Sequence, residues 1–312
     1  MNIRPLRDGD DTTLNEIFHD PETPAGHMLR GLLRPGADDS TGNPILRSVV
    51  AVLPGADVPV AAGALAVNSV HPYRAWTYVE VAPTETGRGI GTEILRALQT
   101  EVQGTAMENL PLRTRVEPHS AGYDWAIKHG FRELFATRVI RIEAGALGAA
   151  GVNRIEDVEV TSSGSVALTK AFAAWYRHVN SLDQPGELSL GQYNAAFLSE
   201  AAGAHGGALL WSQENDGKRF VSAFAVSYAR PNVDEPTELL LGSSYETADM
   251  TPESVPEAAI TDMRALVARL SVETPVVVEV TPAMPVVKTV VDELLARGTA
   301  SVLYDYATLV SS

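Results

Sequence analysis

Apolar residues recur along this 312-residue chain at two spacings, every second position and every third or fourth, and the switches between them mark its elements. Residues 2–6 read as a first strand. Asp10 and Asp11 offer a cap to a helix over 12–19, and 28–33 gives a shorter helical piece between proline-rich loops at 21–24 and 35–44. Two apolar runs, 45–53 and 58–70, flank the turn cluster Pro54-Gly55-Ala56-Asp57 and predict a hairpin. Trp76, Tyr78, Val79 and Val81 give the next run aromatic and β-branched character, and Pro83 ends it because it has no N–H for a ladder. Ile94, Leu95, Leu98 and Val102 then repeat at helical spacing. A strand follows at 110–116, where Leu110, Leu112, Thr114 and Val116 alternate with Pro111, Arg113 and Arg115. A helix over 121–129 and a strand over 136–142 close this half.

After a small-residue stretch at 144–152, which reads as a linker, the order of elements repeats. Helices are predicted over 165–180 and 190–202, and strands over 207–212 and 220–228 around a turn at 214–217. A strand at 237–242, a helix at 256–270, a strand at 275–280, a helix at 285–297 and a last strand at 300–309 complete the chain.

Between the strand ending at Val81 and the helix beginning near Thr92 lie three glycines at alternate positions, Gly87, Gly89 and Gly91. The first N–H groups of a helix have no partner inside it, and the dipole makes that end positive. Glycines let a ligand approach the backbone closely, so a strand–glycine turn–helix order is an anion cradle suited to a phosphate or pyrophosphate. Thr92 and Glu93 stand where a Walker loop needs Lys and Ser or Thr, and the spacing Gly-x-Gly-x-Gly departs from the dinucleotide fingerprint Gly-x-Gly-x-x-Gly. An ordinary glycine turn is the plain alternative.

The stretch Val81-Ala82-Pro83 followed by Arg88-Gly89-Ile90-Gly91 resembles the acetyl-CoA loop of the GCN5-related N-acetyltransferases. Thr86 stands where that family usually has Arg or Gln. The helix ending Lys128-His129-Gly130-Phe131 resembles the family's Gly-Phe ending beside the thiol arm of the coenzyme. The resemblance implies an α/β (α+β) fold of two tandem domains, each a mixed, mostly antiparallel sheet flanked by helices. They would span 1–143 and 154–312, with a linker at 144–153. Gly242-Ser243-Ser244-Tyr245-Glu246 in the second half has no triple-glycine turn, so that domain is expected to be degenerate, without a usable coenzyme site.

Composition narrows the chemistry. Hydrophobic residues at 45% and charged residues at 20% suit a globular protein with ample core. The absence of cysteine excludes disulfides, thiolate catalysis and thiolate-bound zinc. The seven histidines are scattered without ligand spacing, so no metal is expected. No signal core and no run long enough to span a bilayer is present, which points to a cytoplasmic protein without a membrane partner. A net charge of −15 argues against nucleic acid and serves solubility, although an acidic surface also suits a cationic amine.

The resemblance implies acetyl-CoA as co-substrate and direct attack by an amine, which needs a base, a polarised thioester carbonyl, an acid for the leaving thiolate and in-line positioning. Coenzyme contacts fall on Val79, Val81, Thr86, Gly87, Arg88, Gly89, Ile90, Gly91, Thr92 and His119. Backbone N–H groups near Val79 to Val81 would polarise the carbonyl. Glu80 is the leading base, on one strand face with Tyr78, and the plain alternative is a solvent-facing carboxylate. His119, beyond the carboxyl end of the next strand, would relay a proton, and its alternative is a capping or surface role. His71 and Glu117 are further candidates. The family's usual Tyr acid falls at Ala126, so Tyr123, one helical turn earlier, is the candidate in its place, with core packing as the alternative. The reading is an N-acetyltransferase for the primary amine of a small molecule, such as an antibiotic or aminophosphonate intermediate, an amino-acid-like compound or a polyamine. A non-catalytic acyl-CoA sensor and a protein or peptide N-acetyltransferase stand as alternatives, and the oligomeric state stays open.

Overall fold

The computed structural model describes residues 1–18, 24–37, 45–148, 152–214, 216–228, 235–246 and 250–312. His19, the loops at 19–23 and 38–44, part of the expected linker and Asn215 lie outside them. The chain divides into two compact units, Met1–Leu134 with Tyr306–Ser312, and Phe135–Asp305.

The first unit opens with β1 (Asn2–Pro5), α1 (Asp10–Ile17) and α2 (Pro24–Arg30). Asp10 does not cap α1. Left-handed Gly9 takes that place, and the Asp10 carboxylate accepts from Arg4 and from the Arg7 N–H. β2 (Leu46–Val52) and β3 (Pro59–Ala66) form the expected hairpin, followed by β4 (Ala75–Val81), α3 (Ile90–Glu101), β5 (Leu112–Val116) and α4 (Ala121–Lys128).

One face of this sheet packs on α3 and α4 through Ile94, Leu98 and Ala126 against Val49, Ala61 and Leu65. The other packs on the α1 side through Leu6, Leu14 and Phe18 against Val50, Ala62 and Ala64. Gly63 explains how close α3 sits: a Cβ there would lie 2.5 Å from Ile94 Cγ2.

The pattern predicts that 136–142 closes the first half. In the structure β6 (Phe131–Ile142) pairs antiparallel with β11 (Val276–Val280) of the second unit. The place beside β5 goes to the end of β12 (Ala300–Ser311), with Ala307 opposite Val116 and Val310 opposite Arg113. The first unit therefore reads β1-β2-β3-β4-β5-β12 across its sheet, and residues from the far end of the chain complete it.

The second unit has the order β6-β11-β10-β9-β8-β7, with β7 (Glu159–Thr161), β8 (Ala204–Gln213), β9 (Arg219–Tyr228) and β10 (Thr237–Ser243). Its helices are α5 (Val166–Val179), α6 (Leu190–Tyr193), α7 (Glu257–Leu270) and α8 (Pro285–Arg297). The single helix expected over 190–202 is α6 followed by a π turn and a 3-10 turn. Each unit is a mixed, mostly antiparallel sheet flanked by helices. Among the described residues no helix is long and apolar enough to cross a membrane.

Candidate active site

β4 and β5 run parallel but pair only at Ala75–Leu112 and Trp76–Arg113, and beyond those positions the ladder stops. The Ala75 N–H donates to the Pro111 carbonyl on the β5 side at 2.9 Å, and the Ala82 N–H donates to the Val60 carbonyl on the β3 side at 2.8 Å. Strand alternation therefore turns the amides of Val79 and Val81 toward the β5 side, past the end of the pairing. Their side chains pack on the α3 core, whereas Trp76 and Tyr78 pack on the α1 side.

After β4 a 3-10 turn (Pro83–Glu85) leads into the glycine turn. Thr86 Oγ1 donates to the Pro83 carbonyl, and Arg88, largely exposed, pairs with Glu85 at 2.7 Å. Gly87 and Gly89 have φ of +77° and +81°, the left-handed region that favours glycine, and a Cβ at either would meet no atom within 4 Å. Gly89 caps α3, and the first intrahelical acceptor, its carbonyl, serves Thr92 and Glu93. The amides of Gly89, Ile90 and Gly91 precede those bonds and remain as donors at the positive end of a 12-residue helix. The open space above the two glycines and these donors fit a pyrophosphate.

α4 closes the other side of this turn. A Cβ on Gly91 would lie 3.5 Å from Trp125 Nε1 and 3.6 Å from Val79 Cγ1. His129 Nε2 lies 2.8 Å from Thr92 Oγ1, its Nδ1 lies 2.7 Å from the Trp125 carbonyl, and the Trp125 and His129 rings lie 4.3 Å apart, tilted by 30°. Trp125 and His129 were not among the residues the sequence singles out for the site. Their four-residue spacing on the Gly-Phe helix is the local signal that puts both on one face.

The three candidate proton carriers do not form one hydrogen-bonded cluster. Glu80 is clamped rather than solvent-facing: Arg30 of α2 donates to both its oxygens, at 3.0 Å from Nε and 2.5 Å from Nη2, and the Tyr78 hydroxyl donates at 2.5 Å. Burial and then the Glu80 charge hold the Tyr78 hydroxyl far above its ordinary range. His119 is exposed, with φ of +62°, in the loop before α4. Ser120 caps that helix by accepting from the Tyr123 N–H at 3.1 Å. Tyr123 lies 6.3 Å from His119 between ring centroids, but its hydroxyl donates to Glu133 at 2.9 Å, and that bond raises its proton affinity. Ala126 is sealed in the core. His71 is buried beside Asn68, and the Glu117 carbonyl accepts from the Ser120 hydroxyl. A cleft of about 440 Å³ in this unit lies between the end of α3, the 107–112 loop, His129 to Phe131 and Ser311.

Comparison of the sequence with protein-family models and with curated proteins gives no match. Comparison of the structure with solved structures does. A GCN5-related N-acetyltransferase from Sphaerobacter thermophilus superposes with a TM-score of 0.60 at 13% identity, over 99% of this chain and 95% of its own. A tandem protein of the same family from the clavulanic acid biosynthesis pathway gives 0.55 at 12% identity, over 99% and 98%. A putative acetyltransferase from Pyrococcus horikoshii gives 0.50 at 16% identity, over 99% and 88%. With splayed parallel strands, a glycine turn opening α3 and whole-chain likeness to these structures, the chain has the fold of the GCN5-related N-acetyltransferases, in their tandem form.

Proposed function

We propose that this chain is an acetyl-CoA-dependent N-acetyltransferase that acetylates the primary amine of a small molecule by direct attack in a ternary complex. The glycine turn carries the proposal. Two left-handed glycines with open space above them, and unspent amides at the start of α3, form an anion cradle beside splayed strands. When bound, acetyl-CoA supplies the thioester carbonyl as electrophile. The residues for it are Thr86 to Thr92 for the pyrophosphate, Val79 and Val81 N–H for the carbonyl and pantetheine arm, and His119 at the head of α4. The Val79 and Val81 amides act by donating to charge developing on the carbonyl oxygen, a role fixed dipoles perform without reorganisation.

Glu80 is the group we assign to the amine. Held in place by Arg30 and Tyr78, it takes the amine's proton directly or through water. His119, in the loop before α4, and Tyr123, in its first turn, remain for relay to the leaving thiolate. The second unit, which lacks a glycine turn after β10, is assigned a structural role without a coenzyme of its own. Likeness to a tandem protein from the clavulanic acid biosynthesis pathway supports a specialised-metabolite acceptor.

A non-catalytic acyl-CoA-binding protein is the second reading. It is favoured by Ala126 in place of an acid and by a Tyr123 hydroxyl already spent on Glu133. Calorimetric titration of acetyl-CoA into the protein and into Gly89→Glu tests both. One site per chain, lost in the variant while circular dichroism is unchanged, supports the cradle. Coenzyme A release with an amine panel then separates the enzyme from the binder, and no binding in the parent protein overturns both.

A further inference from the structure

The α2-side face of the first unit's sheet is not a plain apolar face where β4, β5 and β12 meet. Trp76, Tyr78 and Glu80 stand on β4, Arg113 and Arg115 on β5, and Tyr306 and Thr308 on β12, with Thr308 directly opposite Arg115. Arg113 is 1% exposed and its guanidinium lies 3.9 Å from the Trp76 ring centroid. Arg115 lies against the same ring at 5.3 Å and against Tyr306 at 4.8 Å. Two guanidinium groups thus share one indole.

Arg115 is the informative one. Among the described residues it has no acidic partner and makes ring contacts only, and its buried Nε donates to nothing. The buried Thr308 Oγ1 across the ladder likewise has no partner. The nearest carboxylate on this face along β4, Glu80, is already matched by Arg30. A cation held by two rings rather than by a carboxylate is an incomplete ion pair, and unsatisfied buried donors are costly enough that they usually have a function. It occurs in a chain of net charge −15, where an acidic neighbour is easy to supply. Arg115 also lies two residues past the last β4–β5 pair, at the splayed strands, beside the residues assigned to the amine.

We infer that Arg115, with Thr308, binds an oxyanion carried by the acceptor itself, so that the acceptor is an amino acid or aminophosphonate type of zwitterion and not a polyamine or a plain amine. This rests on the acetyltransferase reading for the role of the site. The guanidinium edge offers planar donors to two oxygens, and the rings hold it rigid so that little side-chain freedom is lost on binding. Glu80 takes the ammonium end. One strand step of two residues, roughly 6–7 Å, separates the register positions of Tyr78 and Glu80, which suits an amine and an acid a few bonds apart.

The test is a titration of the full chain, labelled at arginine side-chain nitrogens, followed by NMR. The Arg115 Nε–H resonance is the one missing in Arg115→Lys. β-Alanine or 2-aminoethylphosphonate should move it saturably, and ethylamine and putrescine should not. Whichever acid titrates at the lower concentration identifies the source as carboxylate or phosphonate. Thr308→Val should weaken that titration about tenfold to a hundredfold, the loss of one hydrogen bond to a charged group. An Arg115 resonance that ignores both acids, or that moves equally with ethylamine, overturns the inference. Calorimetry of acetyl-CoA on the same samples keeps the two ideas apart: coenzyme binding should persist in Arg115→Lys, and its absence from the parent protein would remove the acetyltransferase reading while leaving the anion titration to be judged on its own.

Discussion

Glu246, just after β10 in the second unit, is 5% exposed. Its carboxylate accepts from Trp175 Nε1 at 2.7 Å and from the Val286 N–H at 3.2 Å, at the start of α8. These bonds favour the charged form, but burial outweighs them and pushes its pKa up to about 7 from an ordinary 4.5. That difference is a factor of roughly 300 in proton affinity, or about 3 kcal/mol. The sign follows from proton counting. Between pH 4.5 and 7 the folded chain holds this proton and the unfolded chain does not, so stability falls as pH rises through the window. It is fully present below 4.5 and lost above 7. Glu246→Gln removes the titration and adds a constant cost, because one amide cannot accept both donors. The difference in unfolding free energy, parent minus variant, should therefore drop by about 3 kcal/mol between pH 4.5 and 8, measured by urea denaturation at each pH. Carboxyl ¹³C NMR should give a Glu246 midpoint near 7. A midpoint at its ordinary value, or a difference that is flat or rising with pH, would refute the reasoning.

Other substitutions test the packing that holds each unit. Arg154→Met should destabilise the second unit by about 3–5 kcal/mol in denaturant melts, because Asp262, 1% exposed and paired to Arg154, would be left as a buried lone charge. Gly242→Ala should cost about 1–3 kcal/mol, since its Cβ would lie 2.3 Å from Phe224 Cζ. Ser120→Ala should cost about 1 kcal/mol through the lost α4 cap, with Tyr123 amide hydrogen exchange rising first. Deleting Tyr306–Ser312 removes Ala307 and Leu309, both fully buried, and strips β5 of a neighbour. The loss of Leu309 alone is worth about 2–5 kcal/mol, so native-state proteolysis should find the first unit unfolded although the cut lies nearly 200 residues from its other strands.

The parts of the site that are contiguous in the chain were legible because their physics is local. Three glycines at alternate positions, a preceding proline and a following 3.6-residue period force a strand, a turn and a helix, and the backbone alone makes the cradle. The clamp on Glu80 was not legible: Arg30 is 50 residues away, and nothing in the period of α2 marks which of its polar side chains will meet β4. Strand exchange was hidden for a related reason. Ladder hydrogen bonds join backbone to backbone, so the side-chain patterns of β6 and β12 carry no sign that one leaves the first sheet and the other enters it.

The alternation along β5 shows where pattern reading fails in an informative way. Leu112, Thr114 and Val116 against Arg113 and Arg115 is the signature of a strand with one face in the core and one in water. Arg113 is instead among the most buried side chains in the protein, and Arg115 is held between two rings. Period two correctly separates the faces but cannot say what covers the second one. Charged residues on a covered face need a compensating partner or a ligand. Glu80 has such a partner in Arg30, and among the described residues Arg115 has none. The same rule that explains the first residue's fixed geometry makes the second the place to look for the acceptor.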